Sequence, residues 1–267
     1  MTGLSINQVT QRILNWFVVD DAQVASILEK IRAELPTTEA WLIGKPQSGK
    51  SSVIRGLTGV SANIIGQGFR PHTQHTQRYA YPSAELPLLL FTDTVGLGDV
   101  DRDVDSILQE LQNDLDQQAR GARILLITVK INDFATDSLY QILQGIRAKH
   151  PAVPVVLIVT CLHELYPIGA EHSPYPPTQT SVQRAFGELK QNFDGLFDSA
   201  VLIDFTLEED DYTPIFYGLD ALLNVLSKQL PEAESKAIYQ LLDQANEATT
   251  QLGVIYRDVA RRYISAF

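Results

Sequence analysis

The chain has 267 residues, 45% of them hydrophobic, and a formal net charge of −11. These values fit one large globular domain, or one domain with helical additions. The acidic balance argues against a broad nucleic-acid-binding surface, which needs clustered Lys and Arg. No apolar run approaches the roughly 20 residues that cross a bilayer, and the first residues do not resemble a signal peptide. Cys161 is the single cysteine, so we expect no internal disulfide and a reducing, cytoplasmic compartment.

The chain begins with a predicted helical segment, residues 1–36, because apolar residues recur at helical spacing over residues 5–34. From residue 37 to 229 short apolar runs alternate with longer, periodic, charged segments. Such alternation predicts an α/β fold with a mostly parallel sheet covered by helices on both faces. The predicted strands are "AWLI", "LPLLLFTD", "ARILLITVKI", "VPVVLIV" and "SAVLIDF".

Two further segments follow from the pattern. Residues 171–180, "EHSPYPPTQT", predict an exposed loop, because Pro and polar residues cluster there. Residues 230–267 predict one long amphipathic helix. Its apolar stripe should pack on the rest of the chain, and a dimer surface is the alternative. Contact with a membrane surface through Arg257, Arg261 and Arg262 is the less favoured alternative.

A glycine-rich motif follows the first predicted strand. "GKPQSGKSS" contains G-x-x-x-x-G-K-S from Gly44 to Ser51, placed between a strand and a helix. The glycines let backbone N–H groups face a phosphate, Lys50 reaches the β- and γ-phosphates, and the Ser51 hydroxyl holds Mg²⁺. The start of the helix adds its positive end to the anion site. The predicted nucleotide-binding residues of this loop are Gly44, Lys45, Gln47, Ser48, Gly49, Lys50, Ser51 and Ser52.

A second motif, D-x-x-G, ends the next long apolar run at Asp93 and Gly96. An Asp at the end of a strand can orient the water shell of Mg²⁺, and the N–H of Gly96 can contact a γ-phosphate. Between the two motifs, Thr73 is the first candidate for a threonine that coordinates Mg²⁺, and Thr76 is the second. The predicted metal ligands are therefore Ser51, Thr73 and Asp93.

With these motifs the chain resembles the translation-factor-related GTPases, which include Era-like, septin-like and dynamin-like proteins. "GKPQSGKSS" is similar to the Era-type phosphate loop, and "DTVG" stands where that family has D-T-P-G. The resemblance implies a six-stranded sheet in the order 2-3-1-4-5-6 with one antiparallel edge strand. It also implies GTP or GDP with Mg²⁺ at the carboxyl ends of the strands.

The chain departs from this family in its catalytic region. Leu97 follows Gly96, at the position where Ras-like proteins have the Gln that orients the attacking water. The resemblance thus implies slow turnover, with the catalytic group supplied by a partner, a second protomer or a potassium ion. Gln47 replaces the Asn of potassium-dependent members, which disfavours potassium.

The other departure is "TCLHE", residues 160–164, where the family reads guanine with [NT]-K-x-D. Thr160 fits the first position, Cys161 replaces the Lys, and His163 replaces the Asp. A neutral imidazole offers one acceptor and a protonated one offers none, so His163 cannot accept both guanine protons. A register shifted by one residue would use Glu164 instead. The last base-contacting loop is expected near Asp204 to Thr206.

These observations predict a GTP-binding protein with slow, Mg²⁺-dependent hydrolysis that acts as a switch or assembly protein. Its partner is an unidentified protein or a second copy of the chain. Two alternatives stay open: a nucleotide-binding scaffold without turnover, and an ATPase on the same fold.

Overall fold

The structure of the protein is a computed structural model, in which the described residues belong almost entirely to the predicted α/β region. The described residues are 38–58, 70–71, 76–81, 89–94, 104–116, 122–167, 170–207 and 210–231. The predicted helical segment 1–36 therefore lies outside them, as does nearly all of segment 230–267.

The described residues form nine strands and five helices. The strands are β1 (Thr38–Ile43), β2 (Arg70–Pro71), β3 (Thr76–Tyr81), β4 (Leu89–Thr94), β5 (Arg123–Lys130), β6 (Val155–Thr160), β7 (Ser199–Leu202), β8 (Asp204–Phe205) and β9 (Phe216–Tyr217). The helices are α1 (Lys50–Thr58), α2 (Val104–Asp116), α3 (Asp137–Lys149), α4 (Thr180–Asn192) and α5 (Leu219–Gln229), with a 3₁₀ turn at Leu162–Leu165.

Seven strands form one sheet in the order β2-β3-β4-β1-β5-β6-β7. Strands β4, β1, β5, β6 and β7 are neighbours in this order, and each pairs in parallel with the next. Strand β3 pairs antiparallel with β4. The predicted α/β class and the predicted order of six strands are confirmed. The seventh strand, β2, is a two-residue addition that pairs antiparallel with β3 at the edge.

Alternate residues of each central strand face opposite sides of the sheet, as the pleat of a strand requires. On one face Trp41, Leu125 and Leu157 belong to a buried cluster that includes residues of α2, α3 and α4. On the other face Leu42 and Leu126 belong to a second cluster with residues of α1 and α5. Because both faces are covered, these strands are apolar over most of their length.

The predicted strand "SAVLIDF" is wrong in its second half. The parallel strand β7 ends at Leu202, and the chain then leaves the main sheet. Asp204 and Phe205 pair instead with Tyr217 and Phe216, forming a separate two-stranded ribbon, β8–β9. This break brings Asp204 to the carboxyl edge of the sheet, beside the segment that follows β6.

Among the described residues, no helix is long and apolar enough to span a membrane.

Candidate nucleotide-binding site

The loop between β1 and α1 is a tight turn with two residues in the left-handed region. Gln47 has φ 59° and Gly49 has φ 87°, while the Ser48 N–H donates to the Lys45 carbonyl at 3.2 Å. Successive backbone N–H groups in such a turn can converge on a concave anion site. A left-handed Gln costs free energy relative to glycine, so the surrounding contacts must hold the loop in place.

Gly44 is required because β5 comes close to the loop. A Cβ atom on Gly44 would lie 2.2 Å from the Thr128 hydroxyl oxygen and 2.6 Å from the Thr128 carbonyl oxygen. No side chain fits at these distances. The Gly44 backbone therefore lies directly against β5 at the carboxyl edge of the sheet.

Two threonines, Thr128 of β5 and Thr160 of β6, hold the loop in place through their hydroxyls. The hydroxyls of Ser48 and Thr128 are 2.7 Å apart and share a buried hydrogen bond. The Thr160 hydroxyl lies 2.9 Å from the Ser48 carbonyl, to which it donates, and 3.3 Å from that of Val129. Thr128 is not predictable as a site residue, because its only signal is a hydroxyl within a mostly apolar strand. The hydroxyl of Thr160 supports the phosphate loop, and the predicted contact of this residue with nucleotide stays a prediction.

The amino group of Lys50 folds over this loop. Its Nζ donates to the carbonyls of Gly44 and Lys45, both at 2.9 Å. This position lies above the loop backbone, where phosphate oxygens could replace the two carbonyls as acceptors. Lys45 points elsewhere, because its Nζ pairs with the Asp133 carboxylate at 3.0 Å. Only Lys50 of these two lysines is placed to contact phosphates.

Helix α1 begins directly at the loop. Its first bond runs from the Val53 N–H to the Gly49 carbonyl at 2.9 Å, and the helix start adds partial positive charge. Ser51 is exposed in the first turn, and Ser52 is half-buried. An exposed hydroxyl at this place suits Mg²⁺, which prefers oxygen ligands and retains several waters.

Of the predicted metal ligands, Ser51 lies in the first turn of α1 and Asp93 lies on β4. Asp93 of β4 is in register with Leu42 of β1, two residues before Gly44, so its backbone lies at the same edge as the phosphate loop. Thr76 begins β3 opposite Thr94. Thr73, Gly96 and Leu97 lie outside the described residues, so their predicted roles stay predictions.

The segment after β6 turns sharply at Cys161. This residue is left-handed, with φ 56°, and the 3₁₀ turn Leu162–Leu165 follows it. Burial raises the pKa of the Cys161 thiol, which makes it a poor nucleophile. Leu162 is fully buried, so Cys161 and Leu162 anchor the segment and His163 faces outward.

His163 is tied to the ribbon β8–β9. Its backbone N–H donates to Oδ2 of Asp204 at 2.7 Å, and its Nδ1 lies 2.8 Å from Oδ1. The Asp204 side chain is 1% exposed and that of His163 is 31% exposed. The hydrogen bond to Asp204, with its negative charge, raises the pKa of His163. The sequence placed both residues near the base but gave no signal that they are hydrogen-bonded to each other.

Glu164, the residue of the shifted register, has another partner. Its carboxylate lies 2.7 Å from Nζ of Lys130, at the end of β5. Lys130 and Thr160 are adjacent in the β5–β6 register, so this ion pair lies beside the phosphate loop. His163, and not Glu164, is the residue whose side chain is held by the ribbon.

Residues 171–180 are irregular up to the start of α4, as predicted, but the loop is not wholly exposed. The His172 side chain is fully buried and stacks on Tyr217, with ring centroids 4.3 Å apart. Its Nε2 lies 4.0 Å from Oδ2 of Asp204, and burial lowers the pKa of His172. The expectation of an exposed loop is wrong here because aromatic packing draws the loop inward.

The phosphate loop, the sheet order and the covering helices define the α/β P-loop GTPase fold. Residues 39–160 match the family described as 50S ribosome-binding GTPase. The match runs from β1 to the end of β6, spans a little under half of the chain and stops before the His163 segment. No curated protein matches the chain.

Several solved structures are similar at low sequence identity. Toc33 from Arabidopsis thaliana, a dimerization-deficient mutant, is 14% identical with a TM-score of 0.47, over 79% of this chain and 87% of that one. The LeoA bacterial dynamin GTPase from ETEC is 14% identical with a TM-score of 0.46, over 92% and 43%. Roco2 from Methanosarcina barkeri is 15% identical with a TM-score of 0.38. The match covers 73% of this chain and 49% of the Roco2 chain, so this chain spans about half the length of Roco2.

Proposed function

We propose that this protein binds GTP and hydrolyses it slowly with Mg²⁺, and that the bound nucleotide controls its contact with a partner. The observation that carries the proposal is the phosphate loop, in which Lys50 folds over the loop carbonyls at 2.9 Å. A loop of this form, between a parallel strand and a helix start, is suited to the phosphates of a nucleotide.

Binding would use the loop N–H groups and Lys50 for the β- and γ-phosphates. Ser51, Thr73 and Asp93 would hold Mg²⁺, since their side chains supply the oxygen ligands that this ion prefers. When bound, Mg²⁺ supplies charge that stabilises the transferring phosphoryl group. The loop N–H groups and Lys50 of the chain itself orient the phosphates.

Slow turnover follows from Leu97, whose apolar side chain cannot orient an attacking water. A partner protein or a second copy of the chain would then complete the catalytic site. The segments around Thr73 and Gly96 are the proposed reporters of the γ-phosphate, because order in such segments can depend on contacts to it.

Equilibrium binding of GTP, GDP, ATP and ADP to the purified chain, with and without Mg²⁺, tests the proposal directly. We expect Mg²⁺-dependent binding of GTP and a low rate of phosphate release from dilute protein. Fast hydrolysis by dilute protein, independent of partners and potassium, would contradict the slow-switch mechanism. Absence of nucleotide binding would contradict the proposal as a whole.

A second candidate function is ATP hydrolysis on the same site. The observation that favours it is His163, because an imidazole replaces the carboxylate that reads guanine in the resembled family. Competition between GTP and ATP for this site separates the two candidates. ATP bound more tightly than GTP at every pH would favour the ATPase.

A further inference from the structure

The inference concerns the base end of the site, and it rests on the proposed nucleotide binding. Asp93, a predicted Mg²⁺ ligand, lies on β4, on one side of β1. With the phosphates on the loop and Mg²⁺ toward β4, the rest of the nucleotide can extend over the other side of β1, where β5, β6 and β7 lie. His163 lies there, three residues after Thr160, whose hydroxyl contacts the loop carbonyl of Ser48 at 2.9 Å.

The contacts of His163 determine which of its ring nitrogens bears a proton. Nδ1 lies 2.8 Å from Oδ1 and 3.0 Å from Oδ2 of Asp204. A carboxylate only accepts hydrogen bonds, so Nδ1 must carry the proton in this pair. The neutral ring then has its lone pair on Nε2. No described residue forms a hydrogen bond with Nε2, and the side chain is 31% exposed.

We propose that His163 and Asp204 form a base-reading pair, in which Nε2 of the neutral ring accepts one hydrogen bond from a purine N1–H. Asp204 does not touch the base, because its side chain is 1% exposed; it positions the ring and sets its tautomer. The pair selects 6-oxopurine nucleotides, which carry N1–H. It does not read the 2-amino group, because one lone pair accepts one proton.

Protonation reverses this preference. A charged ring donates from Nε2, which repels the guanine N1–H and suits the N1 acceptor of adenine. The groups that face His163 are the carboxylates of Asp204, Glu164 and Asp210, all of which raise its pKa, together with the Tyr212 ring at 5.1 Å and His172 beyond Asp204. The reversal therefore occurs above the ordinary histidine value of 6.5, and guanine binding strengthens as pH rises through it.

The first test compares GDP, inosine diphosphate and ADP, using calorimetry on the full chain with Mg²⁺ at pH 8.5. Hypoxanthine keeps N1–H and lacks the 2-amino group. We expect inosine diphosphate to bind within about twofold of GDP. His163→Asp, which restores two acceptors, should improve GDP by about tenfold or more and open a gap between the two nucleotides. A parent chain that binds GDP more than tenfold tighter than inosine diphosphate would overturn the pair.

The second test follows the ratio of GDP to ADP affinity from pH 5.5 to 8.5, in which the titration of the shared phosphates cancels. The ratio should rise by about tenfold through the pKa of His163. Asp204→Asn should move the midpoint to lower pH, and His163→Gln should abolish the transition. His172→Gln is the matched control and should leave the midpoint above 6.5. A ratio that does not change with pH would overturn the inference.

A direct reading of the tautomer uses ring nitrogen NMR, which is practical because the chain has 5 histidines. The histidine signal that is absent from the spectrum of His163→Gln identifies His163. In the parent chain this signal should show a neutral ring protonated at Nδ1. Protonation at Nε2 would overturn the proposal. This NMR measurement does not depend on whether Asp204→Asn folds. Thermal unfolding of Asp204→Asn shows whether that variant is folded, so that its affinities can be compared with those of the parent chain.

Inorganic pyrophosphate separates this inference from the proposed function. It should bind to the phosphate loop with equal affinity in all base-end variants, and Lys50→Ala should weaken it. If Lys50→Ala affected neither pyrophosphate nor GDP, the proposed nucleotide site would be wrong. If Lys50→Ala weakened both while the parent discriminated against inosine diphosphate, only the His163–Asp204 pair would be wrong.

Discussion

The phosphate end and the base end of the site are built in different ways. At the phosphate end a single loop supplies the backbone, and neighbouring strands hold it through Thr128 and Thr160. At the base end His163 depends on Asp204, which is 41 residues away in sequence and lies on a separate ribbon. A local motif can therefore identify the first end, whereas the second depends on a contact between distant segments.

The largest expected effect lies at the phosphate end. Lys50→Ala should weaken GTP binding by at least about a hundredfold, because it removes charge-assisted hydrogen bonds to the β- and γ-phosphates. Lys45→Ala is the matched control. Lys45 pairs with Asp133 at a half-exposed position, so its loss should change affinity by less than about fivefold. Calorimetry with Mg²⁺ measures the GTP affinity of both variants. Equal losses of affinity would contradict the assignment of Lys50, and not Lys45, to the phosphates.

Gly44→Ala tests the close approach of β5 to the loop. The added Cβ would clash with Thr128, so we expect the free energy of unfolding to fall by about 1–3 kcal/mol. Gly187→Ala, in the middle of α4, has no atom within 4 Å of the added Cβ and should stabilise by about 0.5–1 kcal/mol. Chemical denaturation measures both variants. An unchanged stability of Gly44→Ala would contradict the packing described for the loop.

Thr160→Val tests the link between the two ends. It removes the hydroxyl that donates to the Ser48 carbonyl and leaves that carbonyl without this donor, at a cost of about 1–3 kcal/mol. GTP affinity should fall along with the free energy of unfolding, since the loop loses its support from β6. Thr160→Ser keeps the hydroxyl and should retain most of both. If Thr160→Ser lost affinity while Thr160→Val kept it, the methyl group and not the hydroxyl would matter.

The smallest effect is expected from Glu164→Ala. Its ion pair with Lys130 is partly exposed, so stability should change by at most about 1 kcal/mol. The preference for GTP over ATP should change by less than about twofold. Loss of a strong GTP preference in this variant alone would show that Glu164 reads the base, and the assignment of His163 would then be wrong.

Much of the fold could be predicted because local patterns determine it. The apolar runs of β1, β5 and β6 are buried on both faces, and this burial is what their sequences display. Strand β3, "TQRYAY", was not among the runs identified from hydrophobicity. It lies near the edge of the sheet and has a mixed sequence, so only the resemblance implied it.

The site was predictable to the extent that its chemistry is local. The residues from Gly44 to Ser51 form a contiguous motif, so their common location followed from the sequence. Thr128 was missed because a single threonine in an apolar strand has no distinctive pattern. The pairing of His163 with Asp204 was missed because the chain leaves the sheet after Leu202, and the apolar run "VLIDF" gives no sign of that break.

The hydroxyl of Thr160 has a further consequence. It lies within reach of two carbonyls, those of Ser48 at 2.9 Å and Val129 at 3.3 Å, but it carries one proton. If the loop moves away from β6, the proton can turn from the Ser48 carbonyl to the Val129 carbonyl, which belongs to the rigid sheet. The hydroxyl then stays hydrogen-bonded in both positions, so small displacements of the loop cost less than a broken buried bond would.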